Sequence, residues 1–508
     1  MIVDGRKFDS NQIIEADVVI IGSGAGGAPA AYRLAKAGKK VVVVEEGGNF
    51  AKDFFNSSTP YERMKYMYRN SGAVVSLGNA GVVIPLGKTL GGTTTVNSGT
   101  MFKTPDEVIN LWRNNYNLTE ISNEELLPYF NEVEELTDTT DVTWDLMGIN
   151  NQLFAEGAKK LGYHGFPLRR NMKDCQGGGL CAFGCPHDAK RSMNVSYIPL
   201  SEKYGAVYYT YSHVENITTK SGKAVGVIGY FYNGRFGQEN SGIKFEVKAN
   251  VVILAAGSIY TPIILKKNKL ANSSGLVGKN LRIHPAAKVM GYFEESMENW
   301  KGIPQAYCVD EFADEGIIFE GFWIPPSMLS IAIPKFGHEL KTMMKDYTHL
   351  AGFGIMVHDT SSGNVNQFKG NPLIKYNLNN DDVNRFKKAV AIASEIYFEA
   401  GAKHIYPPVF GFEEFKSQKD IDHFLKSKVK ADFFELSAFH PMGTAKMGAN
   451  PKEGVIDQNL ETFDIDSLFI MDASIFPTSL GVNPQESIMA FVSRAVDKML
   501  SREEKYFN

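Results

Sequence analysis

Short, uninterrupted apolar runs are the first regular feature of this chain. They cover residues 18–21, 41–44, 251–254 and 468–471, and a glycine or an acidic residue closely follows each one. Such runs are typical of strands that are buried on both faces of a parallel sheet. Between the first two runs, residues 28–37 show a helical pattern that Gly38 ends. This order of strand, helix and strand predicts an α/β fold with a Rossmann-like parallel sheet.

Two other patterns extend this picture. Residues 208–250 contain strand-like segments separated by Ser-Gly and Asn-Gly turns, which predict antiparallel strands leading into the apolar run at 251–254. Near the C-terminus, apolar residues recur at helical spacing and predict a long helix. These residues are Ile488, Met489, Phe491, Val492, Ala495, Val496 and Met499. A chain of 508 residues is long for one core, so we expect two or three domains.

The first apolar run leads into a glycine motif, G-x-G-x-x-G, formed by Gly22, Gly24 and Gly27. Gly22 permits a tight turn, Gly24 lets the backbone approach a pyrophosphate, and Gly27 lets the helix pack on the strand. Glu45 ends the second run and can accept hydrogen bonds from a ribose 2′-OH. Strand, glycines, helix, strand and acid in this order predict a site for an ADP-containing dinucleotide. The motif alone leaves NAD and FAD open.

Composition excludes several other functions. The net charge of −4 gives no basic surface for nucleic acid or anionic lipid. No apolar stretch is long enough to span a membrane. The N-terminal segment lacks the basic and apolar regions of a signal peptide, and the four cysteines suit a reducing compartment. We therefore expect a cytoplasmic protein with no nucleic-acid partner and no integral membrane segment.

Several motifs, in order along the chain, resemble those of the glucose-methanol-choline (GMC) oxidoreductases, which bind FAD and oxidise alcohols. They are "GSGAGG" with "VVVVEEGG", "LGGTTTVN", "VVILAAGSIYTPIIL", "NLRIHP", "HPMGTAKMG" and "MDASIFPTSLGVNPQESIMAFVSRA". The resemblance covers nearly the whole chain, and residues 299–432 match loosely. It implies a Rossmann-like FAD-binding domain with a parallel sheet, and a substrate domain with a mostly antiparallel sheet and flanking helices.

The resemblance also implies domain boundaries and cofactor contacts. We expect a discontinuous FAD-binding domain at 1–110, 200–290 and 440–508, a connecting cap segment at 111–199, and a substrate domain at 291–439. Val214 stands where the family's backbone contacts adenine, and Gly257 where it packs under the dinucleotide. The expected cofactor-binding residues are Gly22, Ser23, Gly24, Ala25, Gly27, Glu45, Glu46, Gly91, Gly92, Thr93, Asn97, Val214, Gly257, Asp472, Ala473 and Pro484. Family members that attach flavin covalently have a histidine where this chain has Val96, so we expect noncovalent FAD.

The expected catalytic residues are His440 and Asn483. Oxidation of an alcohol by hydride transfer requires a base for the hydroxyl proton, and histidine suits that task near neutral pH. The family position of His440, in "HPMGT", makes it the expected general base, whereas His284 in "NLRIHP" is expected to be structural. Asn483 has two compatible interpretations: a hydrogen-bond donor to the substrate oxygen, and the N-cap of a helix with Pro484 at its first position.

The expected function is therefore FAD-dependent oxidation of an alcohol to an aldehyde or ketone. The alternative is a flavin-containing lyase with no net redox turnover; a flavin-binding sensor would leave the catalytic pair without a use. The electron acceptor is open. Residues 319–334, "FEGFWIPPSMLSIAIP", suggest an apolar pocket, and "AGFGIMVHDTSSGNV" resembles long-chain alcohol oxidases. Both favour a bulky or aliphatic alcohol.

Three of the four cysteines lie in "CQGGGLCAFGCPHDAK", as Cys175, Cys181 and Cys185. Zinc would need His187 as a fourth ligand at an unusual spacing, and a C-x-x-C redox pair is absent. Some GMC dehydrogenases carry an iron–sulfur cluster on a similar run, but this chain lacks their adjacent cysteine pair. We expect a glycine-rich cap over the active site, whose cysteines are small buried apolar side chains, and no metal.

Overall fold

The computed structural model describes residues 1–330, 333, 335–368 and 371–507. A large mixed sheet, here called the first sheet, forms one half of the fold. Its strands, in spatial order, are Ile2–Asp4, Val207–Thr210, Val41–Val44, Gln12–Ile21, Glu239–Leu254, Lys223–Asn233 and Ser212–Lys220, and Leu468–Ile470 pairs with the far end of Glu239–Leu254. The pairings among the first five and with Leu468–Ile470 are parallel.

This sheet confirms the strands predicted from the apolar runs. Strand Val41–Val44 has the predicted bounds, and the runs at 18–21 and 251–254 are the buried ends of longer strands. The predicted antiparallel segment is also confirmed, with Ser221 and Gly222 in a turn at φ 51° and 80°. Positive φ at both central residues matches the twist of a two-residue hairpin.

A second sheet, mostly antiparallel, forms the other half. Its strands, in spatial order, are Val82–Val83, Leu436–Ala438, Pro285–Tyr292, Leu350–Val357, Ile317–Gly321, Tyr307–Val309 and Gly165–Pro167, with His404–Tyr406 beside Pro285–Tyr292. Two further short antiparallel pairs join Asn364–Phe368 to Asn371–Lys375 and Thr139–Asp141 to Arg169–Asn171. Residues 82–83 and 285–290, placed by the sequence in the FAD-binding domain, therefore pair in the second sheet. The domain boundaries stay a prediction.

Helices cover both sheets. They are Gly27–Lys36, Lys52–Ser57, Pro60–Met67, Asp106–Asn115, Asn123–Leu136, Ile149–Lys160, Tyr197–Lys203, Gly257–Asn268, Pro326–Leu329, Gly337–Lys345, Asn380–Glu399, Gln418–Lys426, Gln485–Leu500 and Glu503–Phe507. Within the described ranges, no helix is long and apolar enough to cross a membrane.

Two large apolar cores correspond to the two sheets. In the first core, helices Gly27–Lys36 and Gln485–Leu500 pack against each other, and the valines of strand Val41–Val44 are buried beside them. In the second core, helix Asn380–Glu399 packs against strand Leu350–Val357 and helix Ile149–Lys160. The expected fold class is confirmed: a Rossmann-like parallel sheet joined to a second, mostly antiparallel sheet with flanking helices.

Candidate active site

The parallel strands of the first sheet end at one edge, and the predicted cofactor residues follow them there. Gly22 follows strand Gln12–Ile21, Glu45 follows Val41–Val44, and Asp472 lies two residues after Leu468–Ile470. The parallel registers align Ile21 with Val44 and with Leu254, and Leu254 with Ile470. Ligands of open α/β sheets bind at this carboxyl edge.

Glycines let the loops at this edge approach each other closely. A Cβ added to Gly92 would lie 2.8 Å from the Cα of Gly24, and one added to Gly22 would lie 2.4 Å from the carbonyl oxygen of Ala255. Gly27 packs its helix against the preceding turn, since its Cβ would lie 1.9 Å from the Gly22 carbonyl oxygen. The two glycine-rich stretches therefore form one backbone-lined cradle, as a pyrophosphate requires.

Hydrogen bonds of Ser23 and Glu45 link the loops that form this cradle. Glu45 Oε2 accepts hydrogen bonds from the Ser23 amide at 3.0 Å and from its hydroxyl at 2.7 Å, while Oε1 accepts one from the Gly47 amide. Ser23 Oγ in turn accepts the Gly91 amide at 2.9 Å. Burial raises the pKa of Glu45, against hydrogen bonds from Ser23 and Gly47 that lower it. Glu45, the residue predicted to contact the ribose, thus fixes the geometry of the loop.

Glu46 belongs to a charged network on the same wall. Its carboxylate contacts Arg69 at 2.6 Å and Lys88 at 3.3 Å and accepts the Tyr232 hydroxyl at 2.8 Å. Burial by itself would raise the pKa of Glu46, but Arg69 and Lys88 hold that pKa well below its ordinary value. Glu46 is therefore an anion whose charge is already balanced within the protein.

Asp472 connects the last strand of the first sheet to the helix Gly257–Asn268. Its Oδ2 accepts the Gly257 amide at 2.9 Å and the Thr261 hydroxyl at 2.5 Å, and Oδ1 accepts the Ser474 amide. The aspartate thereby holds the N-terminus of this helix at the carboxyl edge of the sheet.

A continuous cavity of about 1250 Å³ runs from this edge towards the second sheet. Of the predicted cofactor residues, the cavity is lined by Gly22, Ser23, Gly24, Ala25, Glu45, Glu46, Gly92, Thr93, Asn97, Val214, Gly257, Asp472, Ala473 and Pro484. Gly27 and Gly91 lie behind this wall and shape it. Asn97 Oδ1 and Ser258 Oγ are buried there without a hydrogen-bond partner in the described part of the chain, so the wall offers polar atoms to a ligand such as FAD.

The two predicted catalytic side chains meet in the same cavity. Asn483 Nδ2 lies 3.3 Å from His440 Nε2. The predicted helix start is off by one residue: the helix is Gln485–Leu500, and Pro484 occupies the N-cap position. Asn483 does not cap it because its side chain turns towards His440 and Glu320.

His284, expected to be structural, contacts His440, the predicted catalytic histidine, directly. The Nδ1 atoms of His284 and His440 lie 3.2 Å apart, and the Gly481 amide donates to His284 Nε2 at 2.9 Å. Burial lowers the pKa of His440 to about 4 and the pKa of His284 well below its ordinary value. Both imidazoles are therefore neutral near neutral pH.

Glu320 is a site residue that the sequence analysis missed. It lies on strand Ile317–Gly321 of the second sheet and lines the cavity. Its Oε2 accepts Gln305 Nε2 at 2.6 Å and Asn483 Nδ2 at 3.3 Å. Burial raises the pKa of Glu320 to about 7, although the hydrogen bond from Asn483 lowers it. The nearest sequence signal was the apolar stretch 319–334, within which a single acid stands out.

That apolar stretch contributes to the wall of the cavity. Phe322, Trp323, Ile324 and Met328 line it, together with Phe439, which precedes His440 in the sequence. Ile331, Ala332 and Pro334 of the predicted pocket lie outside the described residues. The portion of the cavity near His440 and Asn483 is thus largely apolar and carries a few polar groups, as substrate pockets do.

The segment with the three neighbouring cysteines lies beside the loop that contains Thr95 and Asn97. Cys175, Cys181 and Cys185 are free thiols, and they are half-buried, whereas the sequence analysis expected them to be buried. Lys190 Nζ donates to the carbonyl oxygens of Cys181, Thr95 and Asn97, and so joins the cysteine segment to the loop beside the cavity. Across the residues that the structure describes, no group of three or more His, Cys, Asp or Glu is arranged to hold a metal ion.

Comparison with known proteins places this geometry in a family. The GMC oxidoreductase models match residues 64–286 and 360–491, and an FAD binding domain model matches residues 17–59. An uncharacterized GMC-type oxidoreductase of Mycobacterium tuberculosis is 33% identical over 495 residues, covering 97% of this chain and 77% of that protein.

One further relative and one solved structure are also similar to this chain. The long-chain-alcohol oxidase FAO3 of Arabidopsis thaliana is 29% identical, over 94% of this chain and 67% of its own length. The structure of a formate oxidase variant of Aspergillus oryzae superposes with a TM-score of 0.74 at 16% identity, over 98% of this chain and 100% of that one. This chain therefore belongs to the GMC oxidoreductase family and is an FAD-dependent oxidoreductase that acts on CH–OH donors.

Proposed function

We propose that this protein oxidises an alcohol to an aldehyde or ketone at the end of the cavity where His440 and Asn483 meet. The observation that carries the proposal is that this pair and the cofactor-binding residues line one continuous cavity. Bound FAD supplies the hydride acceptor. The chain's own residues hold the alcohol oxygen and remove its proton.

Two titratable side chains beside Asn483 can accept that proton. His440 is the general base expected from the sequence, and its Nε2 faces Asn483 across 3.3 Å. Glu320 lies on the other side of Asn483 and is also buried in the wall of the cavity. A positioned base raises the reaction rate roughly a hundred- to ten-thousand-fold. Replacing whichever of the two side chains is the base should therefore lower the rate measurably.

The substrate class that fits is a bulky or aliphatic alcohol. Phe322, Trp323, Ile324, Met328 and Phe439 give the walls near the catalytic pair an apolar character, which favours burial of hydrocarbon over that of a free sugar. Similarity to the long-chain-alcohol oxidase of Arabidopsis thaliana supports the same class. The electron acceptor that reoxidises FAD stays open.

Anaerobic addition of substrate tests the reaction type. A panel of primary alcohols of increasing chain length is mixed with the purified FAD-containing protein, and flavin absorbance and products are followed. Bleaching with stoichiometric aldehyde supports oxidation. Product formation with an unchanged flavin spectrum supports the lyase alternative instead, and preference for short, hydrophilic alcohols contradicts the proposed substrate class.

A further inference from the structure

One row of residues crosses the second sheet along the wall of the cavity. The antiparallel registers place Lys288 opposite Gly354, and Gly354 opposite Glu320, and all three line the cavity. Neighbouring strands lie about 4.8 Å apart, so the Cα atoms of Lys288 and Glu320, which are two strands apart, are separated by roughly 10 Å. Gly354 between them has no side chain. Because Glu320 accepts a hydrogen bond from Asn483, a substrate held at His440 and Asn483 can extend along this row towards Lys288.

A charged pair stands at the far end of the row. Strand Leu436–Ala438 pairs antiparallel with strand Pro285–Tyr292, and the same register, continued by two residues, brings Glu435 opposite Lys288. Lys288 Nζ donates to Glu435 Oε1 at 2.8 Å. Both residues line the cavity, and Lys288 is only 9% exposed. Lys288 is therefore largely withdrawn from bulk solvent but borders the space that a substrate would fill.

The pair has hydrogen-bonding capacity that the protein does not use. An ammonium group has three donors, and among the residues that the structure describes Glu435 is the one hydrogen-bond partner of Lys288 Nζ. Glu435 Oε2 is buried without a hydrogen-bond partner in the same described ranges. Unpaired buried polar groups are costly unless a ligand pairs with them. A ligand group that both accepts and donates a hydrogen bond would satisfy the two residues together.

The surroundings of the pair are apolar. Met290 lies two residues beyond Lys288 on the same strand and therefore faces the same side of the sheet. It packs in a buried apolar cluster with Trp323 and Leu329. In such surroundings a buried ion pair adds little stability, and well-packed apolar side chains of similar volume often stabilise a protein as much or more. Packing alone therefore does not account for the pair, whereas recognition of a polar group on the substrate does.

We propose that Lys288 and Glu435 form a subsite for a second, neutral hydroxyl group, at the end of the substrate remote from the reacting hydroxyl. This inference rests on the alcohol oxidation proposed above. A hydroxyl oxygen accepts a hydrogen bond from Lys288 Nζ, and its hydrogen is donated to Glu435. A carboxylate is disfavoured there because Glu435 already balances the charge of Lys288. The substrate class is thereby narrowed to long-chain diols whose hydroxyl groups are separated by an apolar chain.

Comparison of matched diols and monoalcohols tests the subsite in the FAD-containing protein. The second-order rate constant for anaerobic flavin reduction is measured for a series of α,ω-diols and for primary alcohols of the same chain lengths. At the best chain length the diol should be favoured roughly ten- to a hundred-fold after correction for its two equivalent ends, the effect of a hydrogen bond to a charged group. An ω-hydroxy carboxylate of that length should show no such advantage, and a preference for it overturns the assignment to a neutral group.

Replacement of the pair by two methionines tests whether these two residues cause the preference. Lys288→Met combined with Glu435→Met removes both charges, leaves neither partner unpaired, and keeps unbranched side chains of similar length. This double variant should retain FAD and lose the preference for the diol over the monoalcohol. Lys335→Met is the matched control, since Lys335 pairs with Glu413 beside a separate small hollow, and it should keep the preference.

A single substitution covers the case in which the double variant fails to fold. Lys288→Arg keeps the positive charge but has a longer side chain, so its donors lie nearer to the reacting end of the cavity. The chain length of the preferred diol should therefore become shorter. An unshifted optimum contradicts the subsite.

A binding measurement needs no turnover. Diols in which both carbinol carbons lack hydrogen cannot transfer hydride, and their dissociation constants, followed through the flavin absorbance, are compared with those of the matching tertiary monoalcohols. Wild type should bind the diol roughly tenfold more tightly or better, and the double variant should not. If no alcohol reduces the flavin, the proposed oxidation fails and this comparison alone decides on the subsite. Equal affinity of wild type for the two ligands, or a preference that survives in the double variant, overturns the proposal.

Discussion

Ser23 binds Glu45 through two hydrogen bonds, one from its backbone amide and one from its hydroxyl. The same hydroxyl accepts the Gly91 amide, so one serine joins the two glycine-rich loops. The expected ribose contact of Glu45 would be a further hydrogen bond on a carboxylate that the protein already holds in place. Glu45 should therefore affect cofactor binding both directly and through the loops.

Glu45→Ala should weaken FAD binding roughly tenfold or more, since a hydrogen bond to a charged group is worth about 1.5–3 kcal/mol. Titration of the apoprotein with FAD, followed by flavin fluorescence, measures the change. Glu15→Ala, an exposed glutamate on the strand that leads into the same loop, is the matched control and should bind as wild type. Unaltered FAD content in Glu45→Ala would argue against both roles.

FAD should be released intact when the protein is precipitated with acid. Val96 stands where the covalently flavinylated members of the family have histidine, and a valine side chain has no atom that can form a link to the flavin. The buried Val96 lines the cavity and would present an apolar surface to a bound flavin. Absorbance of the supernatant and the pellet measures the distribution. Flavin that remains with the pellet would contradict noncovalent binding.

His440→Ala should retain FAD and slow flavin reduction by about a hundred-fold or more. The loss is expected whether the imidazole accepts the proton or donates to the substrate oxygen, because either role acts on the reacting oxygen. Stopped-flow reduction under anaerobic conditions measures it. His423→Ala, an exposed histidine on helix Gln418–Lys426, should reduce at the wild-type rate. Normal kinetics in His440→Ala would remove this histidine from the mechanism.

Much of the cofactor site could be predicted because its residues follow local patterns. Buried parallel strands read as continuous apolar runs, and the glycines, Glu45 and Asp472 stand directly after them. The parallel registers then bring together positions that are hundreds of residues apart. Sequence and structure agree here because a residue that directly follows a parallel strand in the sequence lies at the carboxyl edge of the sheet.

Glu320 could not be predicted in the same way. It lies on an antiparallel strand of the second sheet, in a segment with no motif, and it reaches Asn483 through pairing that no local pattern encodes. The link from His284 to His440 likewise depends on a contact across 156 residues. The helix start near Asn483 was wrong by one residue because tertiary hydrogen bonds outweighed the capping preference.

The cysteine segment should contain thiols and no iron–sulfur cluster. Cys181 Sγ accepts a hydrogen bond from Arg170 at 3.3 Å, and Lys190 binds the backbone of the same segment, so neighbouring side chains already engage it. Anaerobically purified protein should contain iron and acid-labile sulfide far below stoichiometric amounts, and all four cysteines should react with a thiol reagent after denaturation. Stoichiometric iron with sulfide would overturn this expectation and imply onward transfer of single electrons.

Glu320→Gln should stabilise the protein against heat, and more so at high pH. Burial raises the pKa of Glu320 from 4.5 to about 7, so the folded state binds the proton more tightly than the unfolded state. The contribution of the protonated group to stability is fully present below about pH 4.5 and is lost as the pH rises through 7. A shift of this size corresponds to at most about 3 kcal/mol. The melting temperature of Glu320→Gln relative to wild type should therefore rise between pH 5 and pH 8, measured with FAD saturating in both proteins. An equal difference at the two pH values would show that Glu320 does not carry the raised pKa that a proton acceptor near neutral pH would need.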